Sequence, residues 1–383
     1  MHSRINKKLS DIEISGIRKF FNMVSNYEDV VSLTIGQPDF PTPDRIKQAG
    51  VNAINQNYTS YTHNAGILQL RQAVCDFVQD SYGLSYDPRE EVIVTVGASQ
   101  AIDISLRTIL EPGDEVILPA PVYPGYEPLI HLSGGCPVHV DISNHAFKLT
   151  ADLIEESITP NTKAIILPYP SNPTGVSLTE EELKDIAELV KKHEIFVIAD
   201  EIYSELVYDR NHVSLAQFTD IRDQMIVING VSKSHSMTGW RIGYTLAPAW
   251  LTKHLLKVHQ YNVSCATSIS QHAALEALTN CRDSTHQMKE EYKKRKDYVL
   301  RRLSQMGLSY VHPDGAFYVF VSFPSNGRST FDEAVTLVKE AGIALVPGSA
   351  FSTYGEGYVR LSYAYHMETL RKGLDRLEKY LQK

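Results

Sequence analysis

Gly230-Val231-Ser232-Lys233-Ser234-His235-Ser236-Met237-Thr238-Gly239-Trp240-Arg241-Ile242-Gly243 is a run of small and hydroxyl-bearing residues between two apolar segments, Met225–Ile228 before it and Arg241–Leu246 at its end. Further short runs rich in Val and Ile precede it, at Val92–Val96, Glu115–Leu118, Pro137–Asp141, Ala164–Leu167 and Phe196–Ala199. Helical patterns separate these runs, and strands alternating with helices predict an α/β domain around a mainly parallel seven-stranded sheet. The runs are short and nearly unbroken, which suits strands covered by helices on both faces.

After Ala247 the pattern becomes helical. Met288, Tyr292, Val299, Leu303 and Met306 recur at spacings of three, four and seven within Ser284–Met306, which predicts a long amphipathic helix joining two domains. Ala316–Phe320 and Tyr358–Leu361 read as strands, and Phe331–Ala341 and Met367–Leu381 as helices covering one side of a small sheet. A second, smaller α+β domain is expected, joined by the N-terminal segment. A chain of 383 residues has room for two such units.

Composition excludes several classes. Apolar residues at 43% and charged residues at 21% fit an ordered globular chain. The net charge of −8 argues against nucleic acid and anionic membranes as partners, since their binders carry a basic stripe. The mixed charge run Lys289–Asp297 reads as a solvated helix face. No stretch approaches the roughly 18 apolar residues of a membrane span, and the N-terminus lacks the apolar core of a secretion signal, so a cytoplasmic location is expected. The four cysteines form no CxxC pair and have no histidine at ligand spacing, so free thiols and no metal site are expected.

Four segments carry candidate chemistry. A lysine that forms a Schiff base must be desolvated enough to lower its pKa, and a cofactor phosphate needs a fixed cation and hydroxyl donors. Lys233, Arg241 and Ser232 meet those needs together, although the residues alone leave a surface lysine equally open. Asp200 ends the strand Ile195–Ala199, where open α/β sheets bind ligands, with Tyr203 three residues on. A helix N-cap is the other reading of Asp200. Tyr169-Pro170-Ser171-Asn172-Pro173-Thr174-Gly175 must turn after its strand, because its prolines interrupt pairing. Thr95-Val96-Gly97-Ala98-Ser99-Gln100-Ala101 runs from strand to helix and leaves helix N-terminal amides free for a phosphate. Neither GxxxxGK[ST] nor GxGxxG is present, so nucleotide binding has no motif behind it.

In this order the segments resemble the class I/II aminotransferases of pyridoxal-5'-phosphate (PLP) fold type I. Ile35-Gly36-Gln37-Pro38-Asp39-Phe40, Tyr61-Thr62 with Asn64-Ala65-Gly66, and Val359-Arg360-Leu361-Ser362-Tyr363-Ala364 extend the likeness over nearly the whole chain. The resemblance implies that Lys233 holds the cofactor and serves as the base, with Asp200 at the pyridine nitrogen. It implies Tyr203 and Asn172 at the ring's phenolic oxygen and Tyr123 on the ring face. Ala98, Ser99, Ser232 and Arg241 would surround the phosphate, Tyr61 would reach it from a partner subunit, and Arg360 would bind the substrate α-carboxylate, near Gly36 and Asn172. Many relatives carry a hydroxyl three residues before the lysine. Here Gly230 stands there, so other donors must hold the phosphate.

The implied protein is a homodimer that transfers an amino group from an L-amino acid to 2-oxoglutarate by ping-pong kinetics. Residues 1–35 would pack with the small domain, 36–283 would form the large PLP-binding domain, and 284–383 the small one. Ile14–Phe20, His259–Cys265 and Pro347–Gly357 look most like the bacillus-type N-acetyl-LL-diaminopimelate aminotransferases of lysine biosynthesis. An aromatic or aspartate aminotransferase is the alternative, and a PLP-dependent C–S lyase a more distant one.

Overall fold

The computed structural model describes residues 12–324 and 327–382, together with residues 5, 6, 8 and 9. A short strand β1 (Val31–Ser32) precedes seven strands that share one sheet. These are β2 (Val92–Thr95), β3 (Glu115–Ala120), β4 (Cys136–Asp141), β5 (Thr162–Leu167), β6 (Phe196–Asp200), β7 (Met225–Gly230) and β8 (Gly243–Leu246). Their order is β2-β8-β7-β6-β5-β3-β4, parallel throughout except for β8, which runs antiparallel to both neighbours. Each expected strand is present.

The sheet is buried on both faces, as its apolar runs require. Ile165, Val197 and Val227 belong to the core on one side, and Ile166, Ile198 and Ile228 to the core on the other. Successive residues of one strand thus feed opposite cores, the period-two geometry of a pleated strand. The expected last strand begins later than its apolar run. Arg241 is left-handed, with φ 55°, and pairing starts only at Gly243.

A second, smaller sheet contains β9 (Tyr310–Val311), β10 (Tyr318–Ser322), β12 (Val346–Pro347) and β13 (Tyr358–Ser362), in the order β12-β13-β10-β9, with Tyr318, Val319, Val321, Val359 and Leu361 in a second core, while β11 (Ile343–Ala344) pairs in parallel with β1. The helix Met367–Leu381 packs Leu370, Leu374 and Leu377 on this core. The N-terminal helix Gly16–Val24 buries Phe20 and Val24 against Ala334, Val338 and Ala344. The segment expected as the helix Phe331–Ala341 divides, α-helical over Thr330–Thr336 and a wider π turn over Leu337–Ala341.

The connecting helix spans Arg282–Gln305 and buries four of the five stripe residues, with Met306 partly buried just beyond its end. Its charge run is solvated as expected at Glu290, Lys294 and Asp297, but not at two positions. The Arg295 and Lys296 side chains are only 3% and 2% exposed, paired with Asp39 at 2.7 Å and Asp209 at 2.6 Å. Both acids lie far away in sequence, so spacing within the helix carries no trace of the pairs. A buried cation persists only with such a partner.

Candidate active site

The site lies beyond the carboxyl ends of the parallel strands, where an open α/β sheet leaves a crevice. There a cleft of about 770 Å³ collects side chains from both cores and the N-terminal helix. Asp200 closes β6, and Lys233 sits in the short helix Val231–Ser234 directly after β7. Asn172 follows β5, and Ala98 and Ser99 open the helix Gly97–Ile109 after β2. Arg360 comes from β13 of the smaller sheet, registered opposite Phe320 and Val346.

Lys233 donates a hydrogen bond to the Gly36 carbonyl at 2.7 Å. Burial lowers its pKa to about 8, and the Arg241 and Arg360 charges push in the same direction against a smaller opposing pull from Asp200. A lysine in this state offers a neutral amine far more readily than a solvated one.

Asp200 is buried and its pKa is raised, first by desolvation. Its carboxylate accepts from the Tyr126 hydroxyl at 2.7 Å and from the Ile202 N–H at 3.2 Å. Neither donor carries charge, so a cationic N–H facing this group would supply the counter-charge that burial demands.

Arg360 is buried and donates to Asn172 Oδ1 at 2.8 Å and to the Thr34 carbonyl at 2.6 Å. Burial presses its pKa down, and its guanidinium lies 4.3 Å from the Tyr318 ring centroid. Its Nε has no hydrogen-bond partner among the described residues. A buried guanidinium with a donor left over in a polar cleft is built for an incoming carboxylate.

At the other end, Ser99, Ser232 and Arg241 meet at the start of the helix Gly97–Ile109. Helix N-terminal amides and a nearby guanidinium make this end an anion site. Gly97 has φ 73°, and a Cβ there would come within 2.8 Å of the Arg241 guanidinium carbon. Gly230 and Gly243 pair across β7 and β8, where a Cβ on Gly230 would lie 2.8 Å from the Ile242 carbonyl and 2.9 Å from the Gly243 Cα. A hydroxyl side chain has no room at Gly230. The departure noted in the sequence is therefore part of a tight strand pairing.

That closeness predicts the effect of one substitution. A Cβ on Gly243 would meet the Ala98 amide nitrogen at 2.6 Å, in backbone that cannot yield as a side-chain tip can. Gly243→Ala is expected to cost about 1–3 kcal/mol of stability. It should also weaken anion binding at this end of the cleft, since the Ala98 amide would shift. A melting curve and a cofactor-dissociation measurement check both, and an unchanged Tm would contradict the close approach.

Tyr203 and Tyr123 line the cleft as expected, and the Tyr203 hydroxyl lies 2.9 Å from that of Tyr318. Tyr61 does not line it and is 85% exposed in its own chain. Three contributors escaped sequence reasoning. Tyr126 and Tyr318 have no motif of their own, and the helix Gly16–Val24, whose first residues carry part of the resemblance, is given no place at the site by the sequence; only the fold brings them to the cleft. The spacing of Tyr126 three residues after Tyr123 was the sole available hint, and the two rings meet edge to face at 5.5 Å.

The sequence model for aminotransferase class I and II matches residues 28–377. The protein named as the probable N-acetyl-LL-diaminopimelate aminotransferase of Bacillus subtilis (strain 168) is 62% identical over 383 residues, covering 100% of this chain and 97% of the relative. Aromatic-amino-acid aminotransferase 2 of Thermococcus litoralis is 38% identical, covering 99% of this chain and 98% of its own. Among solved structures, aspartate aminotransferase from Thermus thermophilus with maleate superposes with a TM-score of 0.93 at 36% identity, covering 98% and 99% of the two chains. A lysine and a carboxylate at the carboxyl ends of the parallel strands, joined in one cleft by an arginine of the smaller sheet, accompany that kinship, and the chain belongs to the class I and II aminotransferases, enzymes that use pyridoxal phosphate.

Proposed function

We propose that this aminotransferase moves the amino group of N-acetyl-LL-diaminopimelate to 2-oxoglutarate in lysine biosynthesis, with PLP held at Lys233. The observation that carries the site assignment is the meeting, in one cleft, of an amine with a depressed pKa, a buried carboxylate with no ion-pair partner among the described residues, and a guanidinium with a spare donor. The likeness to the Bacillus subtilis relative supports the choice of donor.

These residues fit the cofactor. Ser99, Ser232, Arg241 and the amides from Ala98 would hold its phosphate, Lys233 its aldehyde carbon, Asp200 its ring nitrogen, Tyr203 and Asn172 its phenolic oxygen, and Tyr123 its face. When bound, the protonated pyridine ring supplies an electron sink for the substrate's α-carbon. Asp200 keeps the proton on the ring nitrogen through its charge. Arg360 binds the α-carboxylate through paired hydrogen bonds and so fixes the direction of the Cα–H bond. The freed Lys233 amine would take the proton from Cα and return it to the carbon that was the cofactor's aldehyde, so that water can release the oxo acid and the amino group stays with the cofactor. The amino acid leaves as its oxo acid before 2-oxoglutarate enters the same cleft, which gives ping-pong kinetics.

On the same reading the protein is a cytoplasmic homodimer, with Tyr61 reaching the partner's phosphate site. Its exposure in the single chain supports that role. Residues 36–283 would form the cofactor domain, 284–383 the small domain, and 1–35 a segment packed on the latter. Among the described residues, no helix is long and apolar enough to cross a membrane.

Catalytic efficiencies for N-acetyl-LL-diaminopimelate, phenylalanine, tyrosine and aspartate, each with 2-oxoglutarate, test the substrate. Buried polar contacts to the acetamido group and second carboxylate can separate donors by several orders of magnitude, whereas an apolar pocket that merely fits a longer chain gains about 10–200-fold. A large preference for the acetylated donor is expected. Parity with the aromatic donors would favour the alternative seen in the Thermococcus relative and sink the lysine-pathway assignment.

A further inference from the structure

The Tyr203 and Tyr318 hydroxyls face each other at 2.9 Å, and among the described residues neither has another hydrogen-bond partner. Tyr203 belongs to the segment after β6 and Tyr318 to β10, so the contact joins the large sheet to the smaller one. Both side chains are buried, and desolvation raises the pKa of each phenol, so both keep their protons at neutral pH. The two hydroxyls thus bring two protons to one shared hydrogen bond. One proton fills it, and the other is left over to face the cleft that both residues line. A buried donor of this kind calls for an acceptor.

The proposed function decides which hydroxyl donates to which. It places Tyr203 at the cofactor's phenolic oxygen, and a phenol has a single proton, so Tyr203 must give that proton to the cofactor and receive one from Tyr318. Tyr318 is held for the task at both ends. Its hydroxyl abuts Gly36, where a Cβ would lie 2.5 Å away, and the Arg360 guanidinium sits 4.3 Å from its ring centroid. Asn172, the other group proposed at the phenolic oxygen, is oriented in a parallel way. Its Oδ1 accepts from Arg360 at 2.8 Å, which leaves its amide N–H groups to donate. We propose that Tyr318 is a positioning residue for the amino-group transfer: its hydroxyl donates to Tyr203 and commits the Tyr203 proton to the cofactor's phenolic oxygen, stabilising negative charge there. The inference rests on the proposed placement of Tyr203. Hydrogen bonds in a chain polarise one another, so Tyr203 becomes a stronger donor than it would be alone. An oxygen whose charge is taken up by such donors pulls less on the proton of the nitrogen that links Lys233 to the cofactor, so the relay lowers the pH at which that proton leaves.

The test titrates the absorbance of holoenzyme against pH in wild type, Tyr318→Phe, Tyr203→Phe and the double variant, each of which keeps the ring that packs in the core. Tyr318→Phe should raise the midpoint of the cofactor's absorbance change by about 0.5 pH unit, roughly a threefold gain in proton affinity, since a bond one step removed carries a fraction of the direct effect. Tyr203→Phe should raise it by about 1–2 units, because the direct hydrogen bond to a charged oxygen is lost. The double variant should match Tyr203→Phe alone, as Tyr318 acts only through that hydroxyl. A purely structural role would lower the melting temperature and leave the midpoint where it is. An unmoved midpoint in a folded Tyr318→Phe holoenzyme would overturn the inference, as would shifts that add in the double variant. An unmoved midpoint in Tyr203→Phe would remove Tyr203 from the phenolic oxygen and take the relay with it, so failure of the relay and failure of the placement are told apart.

Discussion

Lys233→Ala is expected to lower kcat/KM by roughly 10^4-fold or more, because on the proposed function one substitution removes both the cofactor's anchor and the base that moves the Cα proton. The fold should survive. Among the described residues the side chain's one hydrogen bond goes to the Gly36 carbonyl, and burial disfavours its charge in the folded protein, lowering its pKa to about 8. The phosphate end of the cleft does not depend on it, so the variant should still take up cofactor weakly. Initial rates and a melting curve check this together, and a rate near wild type in a folded variant would contradict the assignment. The same pKa predicts that cofactor capture by the wild-type apoenzyme increases as pH is raised through about 8, below the ordinary lysine range, as the amine loses its proton.

Asp200→Asn should slow the amino-acid half-reaction on the order of 10^3-fold, as expected when one preorganised electrostatic contact is lost from a buried site. An amide can still accept from Tyr126 but cannot hold a proton on the ring nitrogen by charge. Substrate KM should change little, because the proposed site of the α-carboxylate is Arg360 and not Asp200. Stability should move in the other direction. In the apoprotein, burial raises the Asp200 pKa, so the folded state binds a proton that the unfolded state has released, and the carboxylate's cost grows as pH rises through that region. The apo variant should therefore be at least as stable as wild-type apoprotein at neutral pH, and cofactor should stabilise wild type more than the variant. Stopped-flow absorbance and paired melting curves measure the two effects. A fast half-reaction in the variant would remove Asp200 from the electron-sink role.

The large sheet was legible because seven strands buried on both faces write themselves as local apolar runs between helices. Lys233, Asp200, Asn172 and Ser99 were legible for a related reason, since each directly follows or ends such a run, where the fold must place a crevice. Arg360 was found through resemblance, and its burial between Tyr318 and Phe351 could not be read from its own neighbours. The parts that escaped depend on long-range contacts. Arg295 and Lys296 looked solvated because their partners, Asp39 and Asp209, lie in distant segments. Tyr126 and Arg18 reach the cleft only through the packing of their helices, Tyr126–Ser133 and Gly16–Val24. The two-residue strands β9 and β12 are too short for any period to register.

The central claim is that Lys233 is the residue to which the cofactor is bound, and borohydride reduction of the holoenzyme followed by peptide mapping tests it most directly. Reduction fixes the cofactor permanently to the lysine that carries it. The account predicts one labelled peptide, containing Ser232-Lys233-Ser234, with the pyridoxyl group on Lys233, whereas stoichiometric label on any other lysine would contradict it.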